Sequence, residues 1–243
     1  MLKHGLIYIF LLVLAGCAQV PDSQKDERDP LQNINRPIYD FNMDVLDTYI
    51  LRPAAVGYIT VTPVPVRQSL VHFTNNISAP VDMINAGLQG KPGNASVSLA
   101  RFLVNSTVGV FGLFDVASSL GLEHVDEDFG QTLGVWGAGD GAYLMLPAMG
   151  PSTARNLTGD VVDNFVLPEI ALTTPQTILV FALKAVEARA SLIAQEGLLN
   201  DSLDPYLFIK DIYFQRQLYE LYDGNPPIKE EPDDFDEDFL ESL

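Results

Sequence analysis

A single cysteine, Cys17, and three histidines are all that this 243-residue chain offers for thiol or imidazole chemistry. No intramolecular disulfide can form. Beyond the N-terminal leader only His72 and His124 remain, and neither belongs to a His-Glu-x-x-His or EF-hand pattern. Neither a Gly-x-Ser-x-Gly elbow nor a Walker loop occurs. Gly137-Ala138-Gly139-Asp140-Gly141 has the glycines of a dinucleotide fingerprint but not its setting, because Tyr143-Leu144-Met145-Leu146-Pro147 follows where a helix should begin. No catalytic centre and no cofactor is expected. Basic residues are scarce as well: 14 Lys and Arg against 32 Asp and Glu give a formal net charge of −18. That balance repels nucleic acid and anionic lipid surfaces. Between residues 30 and 222 only 29 of 193 side chains are charged, against a typical quarter, so any membrane contact made by this body must be apolar.

What is present begins with an export signal. Lys3 and His4, the apolar residues 5–13, and Leu14-Ala15-Gly16 ahead of Cys17 supply its three parts. The apolar part is too short to span a bilayer. Leu-Ala-Gly-Cys has the form of a lipobox, in which small residues admit the backbone to a signal peptidase and the thiol takes a diacylglycerol before cleavage. Residues 1–16 are thus expected to be removed and Cys17 to carry a lipid anchor. Ala18 stands where an aspartate would favour inner-membrane retention, which points to the outer membrane. ATP and nicotinamide cofactors are missing from that compartment, a further argument against kinases and soluble dehydrogenases.

Residues 17–29 are polar and aperiodic beyond the cysteine, and read as a tether with about 20 Å of reach. Residues 225–243 open on Pro226-Pro227 and continue into an acidic run, which predicts a disordered tail. One domain, residues 30–224, lies between them.

Its pattern is helical. After Asn35 and Pro37, Ile38, Phe41, Val45 and Tyr49 recur at three- and four-residue spacing until Arg52-Pro53 breaks the run. Val66, Leu70, Phe73 and Ile77 mark a second helix. A third, from Ala79-Pro80, carries Val81, Ile84 and Leu88 and stops at Gly90. Helices are also predicted over 94–106, 152–163, 175–195 and from Asp204-Pro205 to Tyr222. The one over 175–195 is apolar nearly all round, so protein or lipid should cover it. Residues 102–114 carry no formal charge and include Gly109, Phe111, Gly112 and Phe114. A kinked core helix and an interfacial segment both fit that run. Residues 134–147 read as a hairpin of two short extended arms about a glycine turn.

Neither histidine stands out. His72 lies in an amphipathic helix, and an ordinary structural role suffices for it. His124 is surrounded by Glu123, Asp126, Glu127 and Asp128, which suits either a divalent cation or a solvated loop.

Several strings then converge on one family. Asp29-Pro30-Leu31, Asn35-Arg36, Tyr39-Asp40-Phe41-Asn42 and Leu51-Arg52-Pro53 are followed by Arg101-Phe102-Leu103-Val104-Asn105 and Phe114-Asp115. Further on come Phe129-Gly130-Gln131-Thr132-Leu133-Gly134, Leu146-Pro147, Asp204-Pro205-Tyr206 and Tyr213-Phe214-Gln215-Arg216. In this order, behind a lipobox, they resemble the MlaA (VacJ) family of outer-membrane lipoproteins. The resemblance implies an all-α fold: a ring of amphipathic helices lying in the periplasmic leaflet, with a central amphipathic channel. It implies that phospholipids straying into the outer leaflet enter the channel and pass to a soluble periplasmic carrier, MlaC. It also implies association with a trimeric porin. Such passage breaks no bond, so no enzyme activity is expected. Two other readings stay open: a structural porin-accessory lipoprotein, and a lipid hydrolase, for which only His72 and His124 could serve as imidazole bases.

For a lipid path, the glycine-rich stretch is the candidate lining or gate. Gly134, Gly137, Gly139 and Gly141 permit positive φ and close approach, and Tyr143, Leu144, Met145, Leu146 and Pro147 offer an apolar surface. Arg155 and Lys184, scarce cations in an acidic body, are candidates for meeting the phosphate, with ion pairing as the plainer role for each.

Overall fold

The computed structural model describes residues 26–165 and 174–227. Cys17, the leader, the tether up to residue 25 and the tail beyond residue 227 lie outside them. The described chain is almost wholly helical. Its first helix starts as α1 (Gln32–Asp40), passes through a π-helical segment (Phe41–Leu51) and continues as α2 (Arg52–Val61). The expected break at Pro53 does not occur. The Arg52 N–H reaches back five residues to the Asp47 carbonyl, and Pro53 then falls in the first turn of α2, where its ring is tolerated.

α3 (Val64–Leu88) likewise merges the second and third predicted helices through Pro80. A proline inside a helix costs about 3 kcal/mol. Here Ile77, Ala79, Val81 and Ala86 are all buried around it, and α3 packs along α4 (Pro92–Thr107), so tertiary burial outweighs the local penalty. The turn between them needs glycine: Gly90 has φ +74°, and the Lys91 N–H closes back on the Ala86 carbonyl.

The uncharged run divides in two. Its first part completes α4, and its second part, residues 108–114, winds through left-handed Val110, Phe111 and Gly112. A short α5 (Val116–Ser119) follows, then α6 (Phe129–Val135), each capped by the aspartate before it, Asp115 and Asp128. β1 (Tyr143–Leu146) pairs antiparallel with β2 (Gly150–Thr153), Tyr143 opposite Thr153 and Leu146 opposite Gly150. α7 (Ala154–Phe165), α8 (Thr174–Leu192), a 3₁₀ turn (Ile193–Gln195), α9 (Glu196–Asn200) and α10 (Pro205–Leu221) complete the described chain.

The hairpin therefore exists, but later than the glycine pattern indicates. Gly134 is inside α6, only Gly137 and Gly141 of the four glycines have positive φ, and the turn is Pro147-Ala148-Met149. The aromatic core joins Tyr39 of α1, Tyr143 and Met145 of β1, and Tyr206 of α10. Beneath it, buried Asp29 accepts from Asn35 at 2.8 Å, from the Tyr206 hydroxyl at 2.6 Å and from Lys210 at 3.3 Å. Lys210 also donates to Asp26 at 2.9 Å, and the Tyr143 N–H donates to the Arg28 carbonyl. Residues 26–29, read from sequence as the end of the tether, are thus fixed into the body.

Candidate functional site

Between α2, α3, α8 and α10 lies a cavity of about 370 Å³. α3 contributes Leu70, Val71, Thr74, Ser78 and Asp82; α8 contributes Leu183, Lys184, Glu187 and Ala188. Tyr58 of α2, His124 and Asp126 of the loop before α6, and Arg216 of α10 close the wall. On α3, Leu70, Thr74, Ser78 and Asp82 are four residues apart, one per turn on one face. Apolar and ionisable groups consequently share one enclosure, the arrangement that a ligand with an oily and a charged end requires.

The electrostatics are set by depth. Asp82 is only 4% exposed. Burial pushes its carboxyl up to about 8, with neighbouring Asp126 adding to the effect and Lys184 opposing it. Burial pushes the His124 imidazole down, against the pull of Asp126. Lys184 donates to the Ser78 hydroxyl at 2.9 Å and has no carboxylate partner among the described residues. Glu187 is held by Arg67 at 2.9 Å across α3 and α8, and Arg216 by Glu220 at 2.6 Å within α10. Deeper, Asp115 receives Arg101 at 2.9 Å, Asn105 at 3.0 Å and the Ser118 N–H at 3.1 Å. Burial raises that carboxyl, yet these hydrogen bonds together hold it well below the usual carboxylate range.

Of the residues singled out from sequence, Lys184 lines the cavity. Arg155 does not: it is buried, pairs with Asp140 at 2.7 Å and donates to the Ala138 carbonyl, pinning the 136–142 loop to α7. Tyr143 and Met145 are in the core, Leu144 and Leu146 are half-buried, and Pro147 is exposed at the turn. Gly134 packs against Leu221 and Arg155, whereas Gly137 and Gly139 face open space and Gly141 meets Ala154. None of residues 134–147 is among those lining the cavity. The acids around His124 are dispersed: Glu127 is buried against Lys91 and Asn94, and Asp128 caps α6. Among the described residues no group of three metal-ligating side chains gathers. His124 and Asp126, read from sequence only as part of an acidic loop, also line the cavity, and Asp82 and Arg216 were not singled out as site residues. For Asp82, the polar repeat 74, 78, 82 was the available signal.

Many large apolar side chains lie on the outside of the body. Val61, Val64, Leu103, Val108, Ile178, Leu179 and Phe181 are exposed, and so are Phe111 at 75% and Phe114 at 59%. Where such side chains gather into a patch they mark contact with another protein or with lipid. No helix among the described residues is long and apolar enough to cross a membrane.

Comparison with known proteins gives one answer. The family model described as MlaA lipoprotein matches residues 27–220. The intermembrane phospholipid transport system lipoprotein MlaA of Escherichia coli strain K12 is 38% identical over 95% of this chain and 93% of its own length. The Haemophilus influenzae protein of the same description is 33% identical over 96% and 94%. A chain solved in work on the structural basis for maintenance of bacterial outer membrane lipid asymmetry superposes with a TM-score of 0.75. It is 38% identical, and the match covers 79% of this chain and 98% of that one. With matches of that extent, the chain belongs to the MlaA lipoprotein family.

Proposed function

We propose that this chain is the outer-membrane lipoprotein of an intermembrane phospholipid transport system. Anchored by lipid on Cys17, its body lies in the periplasmic leaflet beside a trimeric porin. Phospholipid that has strayed into the outer leaflet enters the cavity and passes to a periplasmic carrier, MlaC, without any bond being broken. The observation that carries this reading is the cavity itself: apolar Leu70, Val71, Leu183 and Ala188 beside Lys184, whose ammonium is free of carboxylates and suits a lipid phosphate. The exposed apolar residues of α2, α8 and the 108–114 loop support seating in one leaflet, where an apolar face can rest at the acyl boundary without spanning the bilayer. The glycine-rich stretch enters as a gate acting from outside the cavity: Trp136, bonded through its indole N–H to the Leu88 carbonyl, heads an exposed loop whose far end Arg155 pins.

Ala188→Trp tests the path, because it places a large ring in the cavity from an accessible face of α8. In cells whose own copy is replaced, outer-leaflet phospholipid should rise while the folded lipoprotein still fractionates with the outer membrane. Wild-type lipid levels would favour a structural porin accessory, and release of fatty acid from radiolabelled phospholipid by purified protein would favour a hydrolase.

A further inference from the structure

Not all charge on the cavity wall is available to a ligand. Glu187 is neutralised by Arg67, and Arg216 by Glu220. Asp82 and His124 are both shifted toward their uncharged forms by burial. Two groups remain. Lys184 touches only the Ser78 hydroxyl, and the Asp126 carboxylate makes no ion pair or hydrogen bond among the described residues. Both line the same cavity, together with Asp82 and His124, on which they act with opposite sign. The cavity thus presents one cation and one carboxylate that no ion pair among the described residues ties up, beside an apolar wall, while Arg216, which also senses Asp126, is held by Glu220.

We propose that this cavity selects phospholipids whose head group carries an ammonium as well as a phosphate, with Lys184 meeting the phosphate and Asp126 the ammonium. The inference rests on the lipid-path reading above and adds to it a substrate class. A zwitterionic head group satisfies both free charges. A head group whose one charge is its phosphate, such as that of phosphatidylglycerol, satisfies Lys184 and leaves Asp126 without a cation, an arrangement that costs affinity in an enclosure partly withdrawn from water. The volume agrees, because about 370 Å³ is at the small end of ligand sites and takes a head group with the start of its chains rather than a whole diacyl lipid.

The test uses the full-length lipoprotein in detergent, offered equal amounts of phosphatidylethanolamine and phosphatidylglycerol, with bound lipid quantified by mass spectrometry. Wild type should enrich the ethanolamine lipid by about fivefold, the scale of one partly exposed ion pair. Asp126→Asn should bring the ratio close to parity, Asp126→Lys should reverse it, and Asp126→Glu should keep the enrichment. An unchanged ratio in Asp126→Asn and Asp126→Lys, with Ala188→Trp still expelling lipid, overturns the selectivity and leaves the path standing. Bound lipid unaffected by Ala188→Trp overturns the path, and the selectivity with it.

Discussion

The side-chain amide of Asn35 accepts from the Met145 N–H at 2.9 Å and donates to the carbonyl of Tyr143, the residue two before it, at 3.0 Å. A helix thereby supplies β1 with the pair of hydrogen bonds that a third strand would give. Two turns further on, Asn42 repeats the device, bonding the Leu146 carbonyl and the Ala148 N–H, each at 2.9 Å.

Because Asn35 is buried, Asn35→Ala should leave two backbone groups and the Asp29 carboxylate short of a partner. A loss of about 2–4 kcal/mol follows from the cost of unsatisfied buried groups. Asn42→Ala, at the accessible turn where water can substitute, should cost about 1 kcal/mol. Urea unfolding of the two variants checks the order; equal losses would mean that the turn clamp matters as much as the buried one.

Asp82 gives stability a pH slope of defined sign. Its carboxyl titrates near 8 in the folded protein and near its ordinary 3.8 when unfolded. Between these values the unfolded chain has released a proton that the folded one keeps. Stability from this group therefore falls as pH rises from about 4 to 8, by at most about 1.4 kcal/mol per unit. Asp128, Asp160 and Asp163 are raised too and slope the same way. The informative quantity is consequently the difference between wild type and Asp82→Asn, which should widen in the variant's favour up to pH 8. Parallel curves would show that Asp82 ionises normally.

Two glycine substitutions should behave oppositely. A Cβ on Gly159 would run into the backbone of Gly130 and Phe129, where α6 and α7 touch, so Gly159→Ala should cost roughly 1–3 kcal/mol. Gly139 faces open space with no positive φ, and Gly139→Ala should stay within about 0.5 kcal/mol. Thermal melts distinguish them; a tolerated Gly159→Ala would mean that the two helices separate readily.

Phe111 tests the leaflet. Its ring is three-quarters exposed, so Phe111→Ser should leave the melting temperature unchanged while weakening membrane binding by about 2 kcal/mol, or some thirtyfold. Flotation with neutral vesicles of a Cys17→Ser variant lacking residues 1–16, with and without the second change, reads this directly. Equal flotation would place Phe111 away from lipid.

Periodicity made the helices legible, and it failed at Pro53 and Pro80, where π winding and burial against α4 override the local breaker. The hairpin was misplaced for a related reason. Gly150-Pro151-Ser152-Thr153 has little strand character of its own, and β1 is held in place by Asn35 and Asn42, more than a hundred residues away. The spread of glycines from 134 to 141 marked helix packing at one end and a loop at the other. Lys184 could be singled out because cations are scarce. Asp126 was legible only as one of the acids around His124, and Arg216 not as a site residue at all, because only the approach of α10 and the loop before α6 to α3 and α8 brings them to the same cavity.

With lipid on Cys17, as proposed above, the docking of Asp26 and Asp29 on Lys210 shortens the leash between lipid and body. Only nine chain steps lead from Cys17 to Asp26, and a chain covers at most about 3.5 Å per step, roughly 30 Å in all. A pull on the lipid would therefore arrive soon and in full. It would load the Lys210 pairs and the Arg28–Tyr143 backbone bond together, in shear across α10 and β1, before the first turn of α1 could peel away. Under that anchoring, load would enter the body at Lys210 and Tyr143, beside the aromatic core.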